Sequence, residues 1–217
     1  MVILIDNGHG KNCAGKQSPL LKGCDVDVPD WYIEDGRFKE WKYTRDIAKD
    51  VVATLEGYGY DARLLVKEDE DISLGERCRR TNFVCSKNGD QNVLLVSIHA
   101  NACGDSTKWM SAQGWEAYTS IGRTRADDLA EFLYKRAEEN FSGRKIRKDL
   151  TDGDSDKESN FYILKNTRCP AVLTENFFYD NKDDLEYMVS NEGVHRIVRT
   201  HVEGIIDYID FMKKLKK

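Results

Sequence analysis

Short continuous apolar runs punctuate this chain, and polar or glycine-rich turns bound them. Val2-Ile3-Leu4-Ile5 leads into Asp6-Asn7-Gly8-His9-Gly10, and Val93-Leu94-Leu95-Val96-Ser97-Ile98 leads into His99-Ala100-Asn101. Pro170-Ala171-Val172-Leu173-Thr174 is a third run, followed directly by Glu175. Runs of this length, rich in Val, Ile and Leu, read as buried strands. Weaker strand patterns fall at 62–66, 115–119 and 161–164. Helical spacing covers 38–56, ending at Gly57 and Gly59, and 123–140, where Ala126, Leu129, Leu133 and Ala137 share a face. Ser73 followed by Glu76 predicts a capping box that opens a helix to about 87. Further helices are predicted at 183–189 and 192–214. Strands alternating with helices predict an α/β fold: a layered, largely parallel mixed sheet with helices on both faces.

The length of 217 residues suits one domain with a sizeable core, and no repeat or proline-rich linker divides it, so 1–217 reads as a single unit. The net charge is −5 and no long basic stripe occurs, which argues against a nucleic-acid partner. The basic end Lys213-Lys214-Leu215-Lys216-Lys217 complements a helix C-terminus. No apolar stretch is long enough to span a bilayer. No basic n-region and apolar h-region open the chain, so it reads as made in the cytoplasm or as freed of a leader. Six cysteines without a CxxC pair argue against a zinc ribbon, and the expectation is reduced thiols. Cys78 and Cys85, seven apart, share a helix face, and a pairing of Cys13 with Cys24 stays open.

The chemistry gathers at strand ends, where open α/β sheets bind ligands. His9, His99 and Glu175 each follow an apolar run, and each can bind a metal or move a proton. Glu40 is a fourth candidate. At roughly 100° per residue, Ile47 and Val51 lie about 20° to either side of it, so Glu40 continues a core-facing row. A carboxylate there is costly unless it meets a cation, although an acid in a first turn also suits the helix dipole. Two histidines and a carboxylate make a catalytic zinc set, and a second carboxylate supplies a general base.

Other polar and aromatic features carry less. His201 falls on the apolar face of the last helix and reads as a core residue, and His195 as a surface one. Asp152, Asp154 and Asp156 resemble a calcium loop, but Lys157 and Ile163 stand where an EF-hand needs Gly and Glu. Trp31 and Trp109 lie in predicted loops, where sugar or peptide stacking is one reading and an edge aromatic the other. Residues 10–36 form a long segment without periodicity, and long loops in compact domains are often functional.

The segments Leu4-Ile5-Asp6-Asn7-Gly8-His9-Gly10, Lys39-Glu40, Ser97-Ile98-His99-Ala100-Asn101 and Pro170 to Glu175 resemble, in this order, the zinc-dependent N-acetylmuramoyl-L-alanine amidases of the type 3 class. The helix start Ser73-Leu74-Gly75-Glu76-Arg77 is also similar, and the resemblance covers nearly the whole chain. It implies a phosphorylase/hydrolase-like sheet, zinc (Zn2+) bound by His9, Glu40 and His99, and Glu175 as catalytic acid/base. It further implies hydrolysis of the bond between N-acetylmuramic acid and L-alanine, with peptidoglycan or a muropeptide as the partner and the bacterial cell wall as the place of action. Release by a phage lysis system would suit a leaderless amidase. Asn7 departs from the usual Pro or Ala, and Phe177 stands where the family usually has Gly. Rival readings are a zinc exopeptidase or other amide hydrolase, a thiol hydrolase using Cys103 with His99, and a non-catalytic peptidoglycan-binding module.

Overall fold

In the computed structural model, which describes residues 1–151 and 153–215, the apolar runs lie side by side at the centre of one sheet. The strands are β1 (Val2–Asn7), β4 (Asp61–Leu64), β5 (Val93–Asn101), β6 (Trp115–Thr119), β7 (Lys157–Glu158) and β8 (Ala171–Phe178), in the order β4-β1-β5-β8-β6-β7. Within this six-stranded sheet, among the described residues, only the β6–β8 pairing is antiparallel. Side chains alternate across a strand, so each central strand feeds both layers. Ile3, Ile5, Leu94, Val96 and Ile98 pack under α1 (Glu40–Gly57), α3 (Arg125–Asn140) and α6 (Asn191–Leu215). Val2, Leu4, Val93, Leu95 and Leu173 face α2 (Leu74–Asn88) and the short α4 (Tyr162–Lys165) on the other side. Helix α5 (Lys182–Val189) joins the first layer.

The layered mixed sheet with helices on both faces is therefore the observed fold. Three local expectations need correction. Residues 161–164 form no strand: Phe161 is the N-cap of α4, a single turn in which Ile163 and Leu164 are buried over the sheet while Tyr162 is exposed. Phe38 belongs to β3 (Arg37–Phe38), which pairs with β2 (Ile33–Glu34) in a hairpin whose Asp35-Gly36 turn has φ of 51° and 68°, so α1 starts at Glu40. The predicted capping box at α2 is half formed. Ser73 accepts from the Glu76 N–H at 3.3 Å, but the Glu76 carboxylate pairs with Arg79 and Arg80. The complete box is Thr124 with Asp127, at the start of α3.

All six cysteines are free; Cys78 and Cys85 are buried, as their shared face predicts. His201 is fully buried and His195 exposed. Of the three aspartates that resemble a calcium loop, Asp152 lies outside the described residues, as do Lys216 and Lys217 of the basic end. Among the described residues no helix is long and apolar enough to cross a membrane.

Candidate active site

Strand β1 ends in a turn that only small neighbours permit. His9 has φ 62°, in the left-handed region. A Cβ on Gly8 would lie 2.5 Å from His99 Nδ1, and one on Gly10 would collide with the backbone of Asp71. The two glycines thus let His9 and His99 approach, with ring centroids 4.9 Å apart and planes at 87°. The buried Arg77 of α2 braces this turn. It donates to Asp6 Oδ1 at 2.6 Å and to the Asn7 and His9 carbonyls at 2.7 and 3.3 Å. Ser97 donates to the other Asp6 oxygen at 2.6 Å, tying β1 to β5.

Glu40 is the first residue of α1, on the buried stripe with Tyr43, Ile47, Val51 and Leu55. Its carboxylate is 1% exposed. Oε1 accepts from the Ala100 N–H at 3.1 Å and lies 3.3 Å from His99 Nδ1. Oε2 lies 3.6 Å from His9 Nε2 and has no hydrogen-bond partner. One donor atom from each of His9, Glu40 and His99 falls within 4.8 Å of the others. Neither His99 nor Glu175 sits beyond a strand end, as their positions after apolar runs suggested. Both lie within strands, β5 and β8, and face each other in register. Asn176 holds the His99 carbonyl at 2.9 Å.

The electrostatics divide the four groups. Burial lowers His9 to about 3, so its ring is neutral at pH 7 and its contact with Glu40 is not an ion pair there. Cys13 Sγ lies 3.3 Å from His9 Nδ1. A proton on Nδ1, donated to the sulfur, leaves the Nε2 lone pair facing Glu40. Burial would also lower His99, but the hydrogen bond to Glu40 and the charges of Glu175 and Glu40 outweigh it and raise its pKa. Burial, with Glu40 and Glu116 adding to it against His99 and Lys16, raises Glu175 to about 8. Glu175 Oε2 has no hydrogen-bond partner.

An unpartnered buried carboxylate oxygen beside two imidazoles is what a cation would satisfy, and two His with one carboxylate is a donor set that zinc takes. The residues present therefore fit a metal. A second group, His9 with Cys13 and Asp71, also gathers within 4.8 Å, using donors that sequence patterns did not single out.

His9, Cys13, Asp71, His99 and Glu175 line a cavity of about 360 Å³, with Leu74, Phe161, Tyr162 and Ile163 as an apolar wall and Lys16 among the polar residues. Lys16, Cys13 and Asp71 lie in segments without periodicity, so no pattern marked them. Arg77 was visible only as part of a helix start. The stacking reading of Trp31 and Trp109 and the rival thiol hydrolase find no support in this cavity. Trp31 is 65% exposed and Trp109 packs at the edge of the core, and neither lines this cavity. Cys103 is exposed, with its N–H bound to Asp180, and does not line the cavity that holds His99; this geometry gives no support to a thiol hydrolase. Phe177, the departure from the resembling family's Gly, has a φ of 69°, a conformation that favours glycine, and its buried ring packs against Phe141 and Tyr187 at 5.1 and 5.0 Å.

Comparison with known proteins places these features in context. The family described as N-acetylmuramoyl-L-alanine amidase matches residues 3–207. An endolysin of Bacillus phage SPP1 is 25% identical over 222 residues, which is 98% of this chain and 68% of the relative. The N-acetylmuramoyl-L-alanine amidase AmiA of Escherichia coli K12 is 26% identical over 254 residues, covering 99% of this chain and 85% of the relative. The chain spans only 46% of the amidase CwlM of Bacillus licheniformis, to which it is 31% identical over 142 residues, 63% of this chain. Among solved structures, an N-acetylmuramoyl-L-alanine amidase of Clostridium difficile 630 superposes with a TM-score of 0.72 at 23% identity, over 96% of each chain, and shares the fold.

Proposed function

The chain belongs to the N-acetylmuramoyl-L-alanine amidase family, and we propose that it is a zinc-dependent hydrolase of the amide bond between N-acetylmuramic acid and L-alanine in peptidoglycan. The observation that carries this reading is the convergence of His9, Glu40 and His99 on one point, with Glu40 Oε2 unpartnered, beside a second carboxylate, Glu175, with its own unpartnered oxygen. His9, Glu40 and His99 would hold the metal, leaving a coordination position open. When bound, zinc would lower the pKa of a water to about 7 and polarise the amide carbonyl.

Glu175 would do the proton work. Its carboxylate takes a proton from the attacking water and returns it to the leaving alanine nitrogen. A carboxyl raised to about 8 is close enough to neutrality to serve in both directions. Arg77 and Cys13 orient His9 through its carbonyl and its Nδ1, and the apolar wall keeps solvent from one side of the reacting centre. Residues 1–217 then act as one catalytic domain. The names of the relatives, an endolysin and N-acetylmuramoyl-L-alanine amidases, support the bacterial cell wall as the place of action.

Glu175→Gln tests the assignment. Gln keeps the size but cannot move the proton, so kcat on muropeptides, read by mass spectrometry of free stem peptide, should fall about 10²–10⁴-fold with zinc retained. Turnover within about threefold of the parent would remove Glu175 as the base, and loss of zinc would make it a ligand instead.

A further inference from the structure

Lys16 lies in the long segment between β1 and the β2–β3 hairpin, and its backbone is fixed on several sides. Its carbonyl accepts from the Glu40 N–H at 3.1 Å. The Ser106 hydroxyl meets the carbonyls of its two neighbours, Gly15 at 3.2 Å and Gln17 at 2.6 Å. Arg37 ties the Ser18 and Ser106 carbonyls together at 2.8 Å each. Ser106 is buried and holds φ 68°, an unfavourable conformation that persists only where surroundings enforce it. The lysine is thus built into the cavity wall.

Its side chain is not spoken for. Lys39 bonds Gln17 and Lys42 pairs with Glu34, but among the described residues the Lys16 ammonium has no ion pair or hydrogen bond. It is half-buried and lines the same cavity as His9, His99 and Glu175, together with the apolar Leu74, Phe161 and Tyr162. Its charge is felt at His9, Glu40 and Glu175. A held, half-buried cation without a partner, in the cavity of the reaction, calls for an anion on the substrate. The glycan side of the scissile amide carries hydroxyl and acetamido groups and no charge, so the anion must belong to the stem peptide.

We propose that Lys16 is a specificity-determining residue that binds a free carboxylate of the stem peptide, while the Phe161–Tyr162 wall takes the adjoining aliphatic part. This rests on the amidase reading and names the substrate class that site selects.

The test uses two muropeptides that differ only in a free carboxylate or a carboxamide on the acidic residue of the stem. With the zinc-loaded parent, kcat/KM should favour the carboxylate by about tenfold at low salt, and the ratio should shrink as salt rises. In Lys16→Met the ratio should fall to about one, mainly through KM, and in Lys16→Glu it should invert. A second arm measures, by calorimetry, binding of the two free stem peptides to Glu175→Gln and to the double variant Glu175→Gln/Lys16→Met. The acid form should bind about tenfold more tightly in the first and equally in the second. Equal losses on both muropeptides, with a shifted pH profile, would make Lys16 a tuner of Glu175 and overturn the proposal. Equal binding of the two peptides to Glu175→Gln would overturn it as well. If the parent cuts neither muropeptide, the amidase reading falls, and the peptide-binding arm still decides for or against Lys16.

Discussion

Replacing Arg77 with Met should destabilise the protein and loosen the candidate metal centre at once. Arg77 and Asp6 are both nearly inaccessible, with side-chain exposures of 3% and 2%, and their contact is 2.6 Å. The guanidinium also satisfies the carbonyls of Ile72, Asn7 and His9. Met fills similar space but leaves Asp6 as a buried charge held only by Ser97. Stranding one partner of a buried pair costs about 3–5 kcal/mol. For a chain of this size that is a fall in Tm of roughly 6–20 °C. Urea unfolding at pH 7 measures the loss directly. Asp6→Asn in the Arg77→Met background should recover part of it, since an unpaired amide is cheaper to bury than an unpaired carboxylate. Zinc content should fall too, because the His9 turn loses its brace. A loss below about 1 kcal/mol, with no gain from Asp6→Asn, would refute the idea that this pair holds the β1 terminus.

Two further outcomes follow from single residues. Phe177→Gly relieves left-handed strain of about 1–2 kcal/mol but removes a buried ring worth about 3–5, so packing wins and the variant should lose about 1–4 kcal/mol by urea unfolding; a gain in stability would reverse that ranking. His201 is buried between Thr174 and Ile197, and burial lowers its pKa from 6.5 to about 4. The unfolded state therefore binds more protons between pH 6.5 and 4, and stability is lost as pH falls through that window. The contribution is about 3 kcal/mol, and His201→Leu should flatten the pH 4–7 stability profile by that amount; an unchanged profile would count against a neutral buried imidazole.

How far these features were legible in the chain depends on their physics. The central strands were readable because β1, β5 and β8 are buried on both faces and write continuous apolar runs. Glu40 was readable because helical spacing placed it on the stripe of Ile47 and Val51. The segment 161–164 was not, because a run of four apolar and aromatic residues fits a strand or one helical turn equally well, and only the sheet beneath decides. His99 and Glu175 were found by type but misplaced by one step: β5 and β8 run past them, which sets the pair in register. Lys16, Cys13 and Asp71 left no pattern at all, since long-range contacts such as Ser106 with Gly15 and Gln17 position irregular chain. Phe177 was legible only as a departure from a resembling family, and its φ supplies the reason.

The central claim is that His9, Glu40 and His99 hold zinc while Glu175 does not. The most direct test is the metal content of the purified parent and of His9→Ala, Glu40→Ala, His99→Ala and Glu175→Gln, each shown to be folded by circular dichroism. The parent and Glu175→Gln should carry about one zinc per chain, and each of the three alanine variants should carry much less. Full occupancy in all three alanine variants would contradict the account.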